Sequence, residues 1–131
     1  MLKYTLFIGI DISKLTFDAC IIWSNQQGNW PHRQFDQNEQ GYKKLMRWIK
    51  KIANSFCPCA QKDWFIYAEH TGIYGLRLAQ FFELNQVAYL MDSPLRISRS
   101  LGLKRQKDDP TDARDIAKCA MRRDFSEKVR P

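Results

Sequence analysis

Phe7-Ile8-Gly9-Ile10-Asp11-Ile12-Ser13-Lys14 is the stretch on which the fold turns. A short, β-branched apolar run leads into a single carboxylate and reads as a strand buried on both faces. A charge in such a strand loses its solvation, so Asp11 needs a hydrogen-bond donor or a cation. Leu15-Thr16-Phe17-Asp18-Ala19-Cys20-Ile21-Ile22-Trp23 is strand-like again. Residues 12–14 are then a tight connection, and the two strands form a hairpin with Asp11 near its tip. An Asp at a strand end also serves as a turn former or salt-bridge partner. Its meaning depends on whether the chain brings other carboxylates to the same place.

Working outward, the first strand spans residues 2–11 and the second 15–23. After a polar turn ending at Gly28, residues 30–36 form a third strand, with Pro31 suited to an edge because proline cannot donate to a ladder. Asn38-Glu39-Gln40-Gly41 breaks it. Tyr42, Leu45, Trp48, Ile49 and Ile52 then recur at the spacing of an amphipathic helix. Residues 55–62, with Cys57-Pro58-Cys59, read as a loop, and 64–69 as a fourth strand ending at Glu69. Thr71 is the cap of a helix over 72–84, whose Ile73, Leu76, Leu78, Ala79, Phe81 and Phe82 make a wide apolar face. Residues 87–91 are a fifth strand. Ser93-Pro94 opens a helix through 100, with proline at its favoured first position. A polar loop follows over 102–108, and Asp109-Pro110-Thr111-Asp112 opens a last helix running to 123.

The order is thus three antiparallel strands followed by strands alternating with helices. Parallel pairs need helical crossovers, so this predicts an α/β fold with a mixed five-stranded sheet and helices on both faces. That element order matches the ribonuclease H-like fold. The first and fourth strands become central neighbours, and Asp11 and Glu69 lie side by side near their carboxyl ends, where open α/β sheets place their sites.

A chain of 131 residues suits one domain with a real core. With 44% hydrophobic and 27% charged residues it is globular rather than disordered. No apolar run reaches membrane-spanning length, and the N-terminal run lacks a signal peptide's cleavage site, so the reading is a cytoplasmic protein. Cytosolic thiols stay reduced, so Cys20, Cys57, Cys59 and Cys119 predict no disulfide framework. The formal net charge is +7, unevenly spread. Arg96, Arg99, Lys104, Arg105 and Lys107 form a basic segment without an acidic residue, and Lys118, Arg122 and Arg123 a second cluster. Such a surface attracts polyanions, nucleic acid above all.

Asp109 and Asp112 sit three apart at the start of the last helix, roughly on one face. Helix chemistry alone accounts for them: Asp109 before Pro110 is a good N-cap, and Asp112 completes an acidic capping box. Asp108, Asp112 and Asp115 also favour the positive end of the helix dipole. Catalytic and capping roles both remain open at this point.

Four short motifs recur here in order: Gly9-Ile10-Asp11-Ile12-Ser13-Lys14, Glu69-His70-Thr71-Gly72-Ile73-Tyr74, Ser93-Pro94, and Lys107-Asp108-Asp109-Pro110-Thr111-Asp112-Ala113. In that order they resemble the N-terminal domain of the DEDD transposases of bacterial insertion sequences, the insertion-sequence one-ten family, which includes the Piv/MooV-type DNA invertases. The resemblance covers nearly the whole chain. It implies a RuvC-like, ribonuclease H-type fold and a catalytic core acting on DNA phosphodiester bonds, in a bacterial, nucleoid-associated protein. Its acidic residues fall on Asp11, Glu69, Asp109 and Asp112. Asp108 stands where the family has Thr, and His70 where a small residue is common; the spacing to Asp112-Ala113 favours Asp109 over Asp108. The implied cofactor is magnesium or manganese, since clustered carboxylates need compensation and hard divalent cations prefer oxygen. Lys14, Arg96, Arg99, Lys104, Arg105 and Lys107 are the candidate nucleic-acid contacts. The resemblance further implies a structured guide RNA, a homo-oligomer in the full-length protein, no membrane partner, and a serine-bearing second domain outside residues 1–131.

Two other functions compete. An actin-like sugar kinase also opens with a strand, an Asp and a hairpin, but needs a glycine-rich phosphate turn where this chain has Ile12-Ser13-Lys14. A non-catalytic nucleic-acid or assembly module would keep the fold without needing divalent metal. Cys57 and Cys59 lack zinc-finger partners, because His32, His70 and Cys119 lie at no matching spacing. Trp23, Trp30, Trp48 and Trp64 read as core or half-exposed residues.

Overall fold

The computed structural model of the protein describes residues 4–24, 26, 30–69, 72–92 and 113–122. Its strands are β1 (Leu6–Ile12), β2 (Thr16–Trp23), β3 (His32–Asp36), β4 (Trp64–Glu69) and β5 (Tyr89–Asp92). Its α-helices are α1 (Glu39–Phe56), α2 (Leu76–Leu84) and α3 (Ala113–Arg122), with 3-10 turns at Gln61–Asp63 and Gly72–Gly75. All five strands join one sheet in the order β3-β2-β1-β4-β5. β1 pairs antiparallel with β2, and β2 with β3, whereas β1–β4 and β4–β5 are parallel. This is the mixed sheet that the element order predicts, with β1 and β4 at its centre.

Strand alternation divides the interior into two cores. Leu6, Ile8, Ile10 and Ile12 of β1, Phe17, Ala19 and Ile21 of β2, and Trp64, Ile66 and Ala68 of β4 pack against α1 and α2. Phe7, Cys20, Ile22, Phe65 and Tyr67 point the other way, onto Ala113, Ile116, Ala117, Cys119 and Ala120 of α3. Each fully buried Ile or Leu contributes roughly 1.5–3 kcal/mol. The central strands therefore read as unbroken apolar runs, because both faces are covered. Among the described residues, no helix is long and apolar enough to cross a membrane.

Several boundaries differ from the sequence expectation, each for a local reason. α1 runs on to Phe56 and shortens the expected 55–62 loop, because nothing breaks the helix before Pro58. Cys57, which precedes that proline, leaves helical geometry at φ −149° and ψ 71°. β3 begins at His32 rather than Trp30; Pro31 has no N–H, but its carbonyl accepts from Ile21 N at 3.0 Å. β5 is shifted to Tyr89–Asp92 because the Val87 amide donates to Phe82 O at 3.0 Å, closing α2 instead of joining the ladder.

The largest correction concerns the expected helix over 72–84. Its first turn is 3-10, and only Leu76–Leu84 is α-helical. A 3-10 turn advances about 120° per residue instead of about 100°, which throws Ile73 out of phase with the following helix. Ile73 and Leu76 are 74% and 60% exposed, and Leu78 and Phe82 alone among the α2 residues are buried. The wide apolar face is thus a narrow i, i+4 stripe. The Thr71 cap, the helix over 93–100, the loop over 102–108 and the 109–112 start of the last helix lie outside the described residues.

Candidate active site

The two central strands deliver the first two carboxylates. Asp11 of β1 is directly paired in register with Glu69 of β4. They stand side by side, as the element order predicts. In-register partners share a face, here the α3 face, and neighbouring strands are roughly 4.8 Å apart. Asp11 is half-buried and Glu69 buried.

The pairing extends this arrangement beyond the two expected residues. Glu69 is paired with Asp92 of β5, and Asp11 with Asp18 of β2. Asp18, Asp11, Glu69 and Asp92 therefore form one level across four adjacent strands, all toward α3. Asp92 is buried, and its Oδ2 accepts a 2.6 Å hydrogen bond from the fully buried Tyr67 hydroxyl. The sequence does carry a signal for Asp92: β1, β4 and β5 each have an acidic residue at the carboxyl end of an apolar strand. An expected fifth strand that stops at Met91 leaves it out.

α3 is seated on the same face, against Gly9 one step before this level. A Cβ on Gly9, two residues before Asp11 on the same face, would run into the carbonyl oxygen of Ala113 and the amide nitrogen of Ala117. The glycine of the first motif thus admits the α3 backbone. The helix begins at Ala113, so its amino end, the positive end of its dipole, lies at the carboxylate end of the sheet. Asp112 is joined to Ala113 by one peptide bond. Asp109 and Asp112 themselves lie outside the described residues, as do Arg96, Arg99, Lys104, Arg105 and Lys107. Lys14 is described and exposed in the β1–β2 turn beside Asp11. Among the described residues, no three His, Cys, Asp or Glu side chains converge closely enough to hold a metal ion. Asp11 and Glu69 are the pair of expected ligands that the described fold brings together.

A side-chain amide fixes the loops at this end of the sheet. Gln37 Nε2 donates to Ser13 O at 3.1 Å and to Tyr74 O at 2.9 Å, while Gln37 Oε1 accepts from the Tyr42 hydroxyl at 2.8 Å. It ties the turn after Asp11 to the 3-10 turn that follows Glu69, and nothing in the sequence signals it. The remaining candidates are more ordinary. Burial pushes the Cys57 thiol up, and burial followed by the neighbouring Cys57 does the same to Cys59. Trp30 is half-buried against the α3 core, and the Arg114 and Lys118 side chains lie over its ring.

Comparison with known proteins defines the class first. RuvC of T. thermophilus in complex with Holliday junction substrate shares the fold with a TM-score of 0.54 at 12% identity, over 95% of this chain and 96% of that one. A second Thermus thermophilus RuvC structure gives a TM-score of 0.51, also at 12% identity, over 94% and 96% of the two chains. The fold is therefore RuvC-like, of the ribonuclease H type. A family model described as a transposase, that of the DEDD transposases of the insertion-sequence one-ten type, matches residues 8–131, and the chain belongs to that family. The pilin gene-inverting proteins of Moraxella bovis and Moraxella lacunata are each 36% identical to it over 110 residues, 82% of this chain. The match spans 31% of the length of those curated relatives.

Proposed function

We propose that this chain is the catalytic-core domain of a transposase that acts on DNA phosphodiester bonds with a divalent metal, and that Asp11, Glu69, Asp109 and Asp112 are its carboxylates. The observation that carries the reading is the in-register pairing of Asp11 with Glu69 at the carboxyl ends of the two central strands, beneath the amino end of α3. Open α/β sheets place their sites there. The donors fit a hard cation: Asp11 and Glu69 present carboxylate oxygens side by side, and like charges that close favour a bound divalent ion.

Bound magnesium or manganese supplies charge neutralisation and activation of an attacking oxygen. In this reading Asp11 and Glu69 hold the metal from the sheet, and Asp109 and Asp112 from the segment leading into α3. Lys14, Arg96, Arg99, Lys104, Arg105 and Lys107 hold phosphates on either side of the scissile bond, and a structured guide RNA shares the basic surface. Residues 1–131 act as one domain; joining DNA ends requires the serine-bearing domain, in a homo-oligomer. The setting is the bacterial cytoplasm, at the nucleoid.

Titration calorimetry with manganese tests the metal site. The native chain should bind, and Asp11→Asn and Glu69→Gln should not; equal binding by Asp11→Asn defeats the assignment. Asp109→Asn and Asp112→Asn separate ligand from cap, because Asn caps nearly as well as Asp but is a poorer metal ligand. Both should leave the melting temperature nearly unchanged or slightly raised and abolish recombination in the full-length context. A much lower melting temperature with recombination retained would make them caps.

A further inference from the structure

We propose that Trp30, Arg114 and Lys118 form a phosphate-gripping seat for a DNA strand leading to the carboxylate level. This rests on the DNA-processing reading above. Arg114 Cζ lies 4.7 Å and Lys118 Nζ 4.5 Å from the Trp30 ring centroid. Two positive charges are thus gathered at one aromatic ring.

The surroundings suit a polyanion. Arg114, Lys118 and Arg122 follow i, i+4, i+8 spacing and form one stripe along α3, with Arg114 and Arg122 exposed. Trp30 leads two residues later into the edge strand β3, whose α3-side residues His32 and Gln34 are exposed and can donate to phosphate or sugar oxygens. Gln34 is paired with Asp18, so this track ends at the carboxylate level. From Ile22, beside Trp30 in the same core, to Asp18 is four strand residues, roughly 13 Å. That is short enough for one strand to touch seat and carboxylates together.

The ring explains why these cations would bind well. A guanidinium stacked on indole keeps its N–H edge outward in a fixed plane, and a lysine held over the same ring has fewer rotamers to lose. Trp30 is therefore a positioning residue, and Arg114 and Lys118 touch the phosphates. A half-buried aromatic ring also attracts cations simply to cover its open face, so the test must read phosphate neutralisation and not stability alone.

Binding of the 131-residue chain to duplex DNA is measured across a salt series, alongside thermal melting. The Arg114→Gln/Lys118→Gln double variant should melt near wild type, bind more weakly, and flatten the log–log salt slope by about 1.8, roughly 0.9 for each phosphate left without its cation. Arg114→Lys should restore most of the slope that Arg114→Gln removes. Trp30→Leu should weaken binding while leaving the slope intact, because the charges remain; should it fail to fold, the glutamine variants carry the test. A double variant with wild-type affinity and slope overturns the seat. A loss confined to structured RNA, with duplex DNA bound normally, overturns it too. A native chain that does not bind DNA sinks both seat and proposed function. DNA binding without manganese binding sinks the catalytic reading and leaves the seat standing.

Discussion

At the scale of single residues, Gly9 decides how close the last helix can come to the site. Its missing Cβ is the space occupied by the Ala113 carbonyl and the Ala117 amide. Those are backbone atoms, so Gly9→Ala can be accommodated only by lifting α3. We expect it to lower stability by about 1–3 kcal/mol in urea unfolding, the usual cost of overpacking. It should also weaken manganese binding, because the displaced helix begins one residue after Asp112. The same scale shows what a sequence can reveal of a site. Asp11 and Glu69 are legible because each interrupts an apolar run with a charge that such a strand does not need. Asp92 does the same, but one residue past the place where β-branched and aromatic character fades. Asp18 is not legible at all: only the register that pairs it with Asp11 turns an ordinary strand aspartate into part of the level.

At the scale of elements, the ends are harder to read than the middles. The α1 stripe is plain from Tyr42, Leu45 and Ile49, all buried. Its start is not: Asn38, expected only to break a strand, is the N-cap, accepting from Gly41 N at 2.8 Å. At the end of α2, Gln86 N donates to Glu83 O at 3.2 Å and Val87 N to Phe82 O at 3.0 Å, with Gln86 at φ 55°. That is a Schellman closure with a side chain where glycine is favoured. Removing the left-handed strain outweighs the extra freedom glycine gives the unfolded chain. Gln86→Gly should therefore stabilise the protein by about 0.5–1 kcal/mol, seen as a higher urea midpoint at unchanged slope. A lower midpoint would mean that the Gln86 side chain makes a contact worth more than the strain.

At the scale of the whole molecule, the sheet depends on being covered twice. Phe7, Ile22, Phe65 and Tyr67 are buried on the face that carries α3. A chain ending at Asp92 would expose that apolar face, and water tolerates such contiguous surface poorly. It should bind a hydrophobic dye and lose its cooperative melting; a sharp transition without dye binding would show that α3 is not needed for the fold. The layered plan is legible because strand and helix periods differ and the crossovers follow from them. The face on which each helix lies is not, since it depends on long-range pairing. Gln37, spanning Ser13 and Tyr74 with one planar amide, acts as a gauge block for the mouth of the site. The gap between the loops that carry on from Asp11 and Glu69 is set by a rigid group of fixed size. Its alignment is governed from the far layer, because Tyr42, a buried residue of α1, grips the amide oxygen. Burial holds the Tyr42 hydroxyl above its ordinary value, with Arg77 pulling the other way. The proton it lends is thus kept through neutral and mildly alkaline solution, and its contribution is lost only as pH climbs through that raised value. A fault in the helices behind the sheet would then surface at its front as lost tolerance between moving parts, with the fold itself still intact.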